Sequence, residues 1–168
     1  MSAARFLLLT SLAIAAAAVA CSSPSPDQRF VATVPDRASF PAVAQLYVHR
    51  CGSLDCHGTP YRNLRIYGNE GLRLDPQDRP LSPMDTTPRE IDEDYASVVG
   101  LEPEVLSQVV SQGGASPERL TLVRKPLGLE SHKGGQLFQP GDNQDVCVRS
   151  WLAGSANATA CAQALMTP

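Results

Sequence analysis

Apolar residues recur along the chain with the period of an α-helix, and the first such stretch is the clearest. It comprises residues 40–51, whose apolar positions are Phe40, Val43, Ala44, Tyr47, Val48 and Cys51. Steps of three and four residues place these side chains on one face of a helix, and Pro41 suits its first turn. The apolar face leads into a cysteine cluster, so we expect the first thiol to lie on the buried side.

Later segments show the same period, together with signals for where each helix begins and ends. The sequence Thr87-Pro88-Arg89-Glu90 is a capping box with proline at the first helical position, and it predicts a helix that Gly100 ends. Further helices are predicted for about 103–112, from Ser116 and Pro117 to Pro126, from Asp142 to Gly154, and around Cys161.

One segment alternates instead of following the helical period. Leu64 and Ile66 alternate with polar residues, and so do Leu72 and Leu74 after a turn bounded by glycines. This pattern predicts a short β-hairpin over residues 63–74. The expected fold class is therefore mainly α, a small helical domain with one short β-hairpin.

The first twenty residues predict a targeting segment, with Arg5 followed by an apolar run. Ala18-Val19-Ala20-Cys21 resembles the lipobox of bacterial lipoproteins, which implies cleavage before Cys21 and a lipid on its thiol. An ordinary secretory signal is the alternative. Either predicts an exported chain, and the lipid implies an anchor at a membrane surface, in the periplasm or at the outer membrane. We divide the chain into a signal peptide (1–20), a proline-containing flexible tether (21–39) and one domain (40–168).

The sequence shows no motif of the common enzyme classes. It lacks G-x-S-x-G, a glycine-rich phosphate loop and H-E-x-x-H. Asp92, Glu93 and Asp94 are consecutive on a predicted helix and therefore point in different directions, so we expect a solvated face. The net charge of −3, without a basic cluster, gives no indication of a nucleic-acid partner. We predict a protein that is not an enzyme.

Five cysteines limit the possible covalent chemistry. Without Cys21, an even number remains for an oxidising compartment: Cys51 and Cys56 in one cluster, Cys147 and Cys161 in another. Three pairings are possible, and the sequence alone does not choose among them. Local pairing is the simplest, and if the first two thiols hold a cofactor, Cys147–Cys161 is the only disulfide left.

The first cysteine cluster carries the most specific chemistry in the chain. Cys51-Gly-Ser-Leu-Asp-Cys56-His57-Gly58 has the pattern C-x4-C-H, two residues wider than the C-x-x-C-H that attaches haem in c-type cytochromes. In that motif two thiols form thioethers with the haem, and the histidine is a ligand of the iron. The wider spacing requires the residues between the two thiols to bulge.

Over about residues 40–155 the chain resembles the c-type cytochrome domains of secreted bacterial proteins. C-x4-C-H occurs as a haem-binding variant among multihaem cytochromes, and this chain has one such cluster. The stretch from Lys125-Pro126-Leu127 to His132-Lys133-Gly134-Gly135 is similar to their K-P-L…H-x-G-G segment. Trp151-Leu152-Ala153-Gly154 is similar to their closing helix, which packs across the first helix.

The resemblance implies a haem c attached to Cys51 and Cys56, with His57 as the proximal ligand of the iron. The distal ligand would be His132, with Met84 in a proline-rich loop as second choice. The implied function is membrane-tethered electron transfer by one haem, with an unidentified redox partner protein. The alternative is a disulfide-stapled exported lipoprotein without haem, with Cys51 bonded to Cys56, acting as a binding or structural protein of the cell envelope.

Overall fold

Six α-helices and one 3-10 turn make up the regular structure of this computed structural model, which describes residues 30–166. No sheet is present within those residues, so the prediction of a mainly helical fold is confirmed. The elements are α1 (Phe40–Cys51), α2 (Pro88–Val99), α3 (Pro103–Ser111), a 3-10 turn (Pro117–Arg119), α4 (Thr121–Arg124), α5 (Asn143–Leu152) and α6 (Ala158–Ala164).

The predicted signal peptide, Cys21 and the start of the predicted tether lie outside the described residues. Within the described part of the chain, residues 32–166 pack as one unit. The end of the predicted tether lies against the helices: Tyr95 Oη donates a hydrogen bond to the Pro35 carbonyl at 2.8 Å, and Trp151 Nε1 donates to the Asp36 carbonyl at 2.8 Å. Residues 35 and 36 are therefore held by side chains from α2 and α5.

Helix α5 packs on α1 through aromatic side chains. The rings of Phe40 and Trp151 have centroids 5.1 Å apart, and Tyr95 meets Phe40 edge-on at 5.3 Å. All three contribute to one apolar core. The predicted disulfide Cys147–Cys161 is confirmed, and it joins α5 to α6.

The predicted β-hairpin is not shown, and residues 63–74 contain an isolated bridge between Tyr67 and Leu72. The physical reason is that backbone amides needed for pairing two strands donate their hydrogen bonds to other groups. The amide of Ile66 donates to the His57 carbonyl at 2.9 Å, and that of Leu74 donates to a carboxylate oxygen of Glu90 at 3.1 Å. A paired strand cannot form where these groups are already bonded.

The helix predicted to open at Ser116 and Pro117 is divided into two short pieces. Ser116 has a left-handed backbone with φ of 48°, and Leu120 is extended between the 3-10 turn and α4. A carboxylate oxygen of Glu102 accepts bonds from both the amide and the hydroxyl of Thr121, each at 2.6 Å. This side chain supplies an acceptor at the start of α4, so a second helix begins there instead of continuing the first.

Helix α2 turns charged side chains toward the core, which corrects the expected solvated face. Asp92 and Glu93 are exposed, but Asp94 is fully buried, as is Glu90 one turn earlier. The positions 90, 94 and 98 follow the helical period, so Asp94 belongs to the inward stripe that ends at Val98. The expectation for Asp94 was wrong because three consecutive side chains of a helix point in different directions, and only those of Asp92 and Glu93 face solvent.

Glu90 is paired with a buried arginine. Arg73 Nε and Nη2 donate to its two carboxylate oxygens at 2.8 and 3.0 Å, and both side chains are almost fully buried. The amide of Thr87 donates to the same carboxylate, which completes the capping box that the sequence predicted. Burial raises the pKa of Glu90, but the bonds from Arg73, Thr87 and Leu74 outweigh it and hold that pKa below its usual value.

We expect Glu90→Gln to lower the free energy of unfolding by about 3 kcal/mol, because it leaves the buried Arg73 charge with only the longer contact to Asp78 at 3.8 Å. Asp92→Asn is the matched control on the same helix: its pair with Arg37 is exposed, so the loss should stay below about 1 kcal/mol. Denaturant unfolding at pH 7 measures both. The difference should shrink as the pH falls below about 4.5, where the stabilising charge of Glu90 is lost. Equal losses would contradict this account.

Candidate functional site

The loop of residues 51–58 is closed by hydrogen bonds within its own backbone. The amide of His57 donates to the Cys51 carbonyl at 2.8 Å, and the amides of Cys56 and Gly58 both donate to the Ser53 carbonyl at 2.9 Å. Leu54 and its neighbour at 55 are exposed at the tip. The spacer between the two cysteines therefore bulges into solvent as a turn, while its two ends are held together.

Glycines allow this loop to pack closely against the chain that follows. A Cβ atom at Gly58 would overlap the Gly52 carbonyl oxygen, and a Cβ at Gly71 would overlap the same oxygen. Only glycine permits three backbone segments to approach in this way. The Gly58 that follows His57 is therefore a packing requirement of the motif.

The imidazole of His57 is oriented by a backbone carbonyl. Its Nδ1 lies 2.9 Å from the carbonyl oxygen of Leu64, which can only accept a hydrogen bond. Nδ1 must therefore carry the proton, and Nε2 of the neutral ring keeps its lone pair. Histidines that bind a metal are commonly held in this way, with the second nitrogen donating to a carbonyl.

Both cysteines and His57 line one cavity of about 490 Å³, a volume within the usual range for small-molecule and cofactor sites. The lining also includes His132. Apolar atoms make up most of the exposed lining surface. The rest of the lining comes from α1 and from residues 61–64, 101–102, 121–126 and 132–137; its apolar and aromatic members are Tyr47, Tyr61, Leu64, Leu101, Leu122, Pro126 and Leu137.

Of the two candidate distal ligands, the structure brings only His132 to this cavity. Its Nδ1 is buried and has no hydrogen-bond partner among the described residues. Burial lowers the pKa of His132, and the charges of Lys125 and His57 lower it further, which favours the neutral ring that can bind a metal. Met84 is 45% exposed and is not part of the lining.

The two thiols differ in their surroundings and are not joined by a disulfide. Cys51 is buried at the end of α1, and Cys56 is partly exposed. Burial raises the pKa of the Cys51 thiol to about 12, with a smaller contribution from the neighbouring Cys56. In this structure the Cys51 thiol is therefore protonated and shielded from solvent.

Basic side chains and one buried hydroxyl also line this cavity. Arg50, Arg62, Lys125 and Lys133 line it together with one acid, Glu102. The hydroxyl of Tyr47 is buried in the wall and has no hydrogen-bond partner among the described residues. Lys125 is paired with Glu130 at 3.5 Å and Lys133 lies 4.0 Å from Asp55, so the basic side chains are partly neutralised. The two thiols, the oriented imidazole and the apolar part of the wall fit a haem c.

Comparisons with known protein families, with curated proteins and with solved structures give no match to this chain. Among residues 30–166, no helix is both long enough and apolar enough to cross a membrane. The same part of the chain holds no cluster of three His, Cys, Asp or Glu side chains arranged to bind a bare metal ion.

Sequence reasoning missed the residues that support His57 from outside the motif. The sequence predicted Leu64 in a hairpin strand and Asp94 on a solvated face. The amide of Tyr67 donates to Asp94 Oδ1 at 2.7 Å, which ties the segment after the motif to α2. A helical-wheel count would have placed Asp94 inward, but no sequence pattern identifies the carbonyl that contacts His57.

We expect the two free thiols to react with an alkylating reagent at different rates. In a haem-free Cys21→Ser background without reductant, Cys56 should react at least about tenfold faster than Cys51, because the buried Cys51 is protonated and shielded. Mass spectrometry of the peptides identifies the modified residue. Cys56→Ser should remove the fast phase, whereas rapid modification of Cys51 in the folded protein would contradict the burial described here.

Proposed function

We propose that this protein is an electron-transfer protein with a single haem c, attached through thioethers to Cys51 and Cys56. The observation that carries the proposal is the combination of both thiols with an imidazole whose Nδ1 is held by the Leu64 carbonyl at 2.9 Å. This combination supports a covalent tetrapyrrole more than a simple staple, because a disulfide would need neither the oriented ring nor the cavity.

Each residue has a distinct role in this proposal. The thiols of Cys51 and Cys56 anchor the cofactor, and the lone pair on His57 Nε2 is available as the proximal ligand. His132 is the proposed distal ligand, supported by its place in the wall and its unpartnered Nδ1. When bound, haem supplies an iron that gains or loses one electron, and the apolar wall would limit the access of water to it.

We also propose that the protein works outside the cytoplasm, anchored to a membrane surface by a lipid on Cys21. The motif at residues 18–21 supports the anchor, and the Cys147–Cys161 disulfide is typical of an oxidising compartment. Its partners would be the membrane surface and a redox protein that has not been identified. Without haem, the chain would instead be an envelope lipoprotein with a binding or structural role.

Covalent haem attachment should depend on the cysteine pair of the motif. The protein is exported in a host with c-type haem maturation factors and stained for haem after denaturing electrophoresis. We expect stain in the wild-type protein and in the control Cys21→Ser, and none in Cys51→Ser/Cys56→Ser. An unstained wild-type protein, with a C-x-x-C-H cytochrome stained in the same host, would favour the haem-free alternative.

The optical spectrum should distinguish the axial ligands. His57→Ala should abolish the low-spin spectrum, because the proximal ligand is lost. We expect His132→Ala to convert it to a high-spin spectrum that added imidazole reverses. Met84→Ala is the control and should leave the spectrum unchanged, since its side chain lies away from the cavity. The assignment of His132 would be wrong if Met84→Ala changed the spectrum and His132→Ala did not.

A further inference from the structure

Two side chains of α2 hold the backbone segment of residues 64–67, which follows the cysteine motif. Ser97 Oγ accepts a hydrogen bond from the amide of Arg65 at 3.0 Å, and Asp94 Oδ1 accepts one from the amide of Tyr67 at 2.7 Å. The two acceptors lie three residues apart on one helix, and their two donors lie two residues apart in the segment. One side of the segment is therefore fixed to α2.

The backbone groups that alternate with these donors bond to His57. The amide of Ile66 donates to the His57 carbonyl at 2.9 Å, and the Leu64 carbonyl meets His57 Nδ1 at 2.9 Å. Backbone groups that alternate in this way point to opposite sides, as they do in a strand. The segment thus bonds α2 on one side and both the backbone and the ring of His57 on the other.

We propose that Asp94 and Ser97 are positioning residues for His57, acting through residues 64–67 to hold its Nδ1 on the Leu64 carbonyl and so keep Nε2 available as a ligand. Neither side chain touches His57. The value of this positioning to a haem rests on the proposed function, but the hydrogen-bonded chain from α2 to the imidazole is a property of the protein without haem.

Packing alone does not explain a carboxyl group at position 94, because burying it is unfavourable. Its carboxyl is fully buried, and Oδ2 has no hydrogen-bond partner among the described residues. Burial raises its pKa to about 8, with further increases from Glu90 and Glu93, although the bond from Tyr67 lowers it. A buried polar atom without a partner destabilises a fold. The bond that Oδ1 accepts from Tyr67 gives this carboxyl a specific role.

The test measures the tautomer of His57 in the haem-free protein, made from the full chain in an exporting host without haem maturation factors. Protein labelled with ¹⁵N-histidine gives NMR spectra that distinguish a proton on Nδ1 from one on Nε2. Loss of a signal in His57→Gln assigns the residue. We expect wild-type His57 to be predominantly in the Nδ1–H form.

Asp94→Ala and Ser97→Ala each remove one acceptor. We expect each to shift the tautomer ratio of His57 toward Nε2–H by about two- to tenfold, the equilibrium effect of losing one hydrogen bond. Asp94→Asn keeps an acceptor oxygen in the same place, and Ser97→Thr keeps the hydroxyl, so both should restore the wild-type ratio. Asp92→Ala is the matched control, because it removes an exposed carboxylate from the same helix.

Ser97→Ala keeps the inference testable if Asp94→Ala does not fold, since Ser97 is only partly buried. Unchanged signals from His49 and His132 verify that a variant is folded. A wild-type ratio in folded Ser97→Ala would overturn the proposal, and so would an equal shift in Asp92→Ala. A protein that never binds haem would refute the proposed function and leave this result intact.

Discussion

The closed backbone loop of residues 51–58 is the constraint on which the candidate site depends. Its hydrogen bonds hold the end of α1 next to His57, and the contact of Gly58 with Gly52 leaves no room for a side chain. Opening the loop would separate the two thiols and release the imidazole at the same time. The four-residue spacer is accommodated because it turns outward, so the extra length does not enter the cavity.

The support for this loop comes from parts of the chain that are distant in sequence. Asp94 and Ser97 of helix α2 accept hydrogen bonds from the segment of residues 64–67. That segment in turn bonds to His57. The nearby pair of Arg73 and Glu90 fixes the start of the same helix. Buried polar groups of this kind are costly when unpaired, so they determine one arrangement of the chain more strictly than apolar packing does.

Much of the fold could be predicted from the sequence, because local rules determine it. The stripe from Phe40 to Cys51 and the cap at Thr87 predicted helices that are present. The hairpin was not predictable in the same way: alternation from Leu64 onward describes a strand-like segment, but the partners of its backbone are side chains of α2 and the backbone and ring of His57. Such long-range partners leave no local pattern.

The candidate site was predictable only as far as its motif extends. Cys51, Cys56 and His57 were evident from their spacing, and His132 joins them at the cavity. The helical period places Asp94 on the inward side of α2, but the bond that it accepts from Tyr67 is a tertiary contact that the sequence does not indicate. Met84 was a candidate distal ligand because its loop is rich in proline. Composition, however, gives no information about which side of the fold a loop occupies.

The measurement that tests the account most directly is a pyridine haemochrome spectrum of the protein exported in a host with c-type haem maturation factors. The protein is denatured and extracted with acidified acetone before the reading, so only covalently held haem remains. The account predicts haem that stays with the protein and gives the α band of a c-type cytochrome. A colourless protein, alongside a C-x-x-C-H control that matures normally, would contradict it.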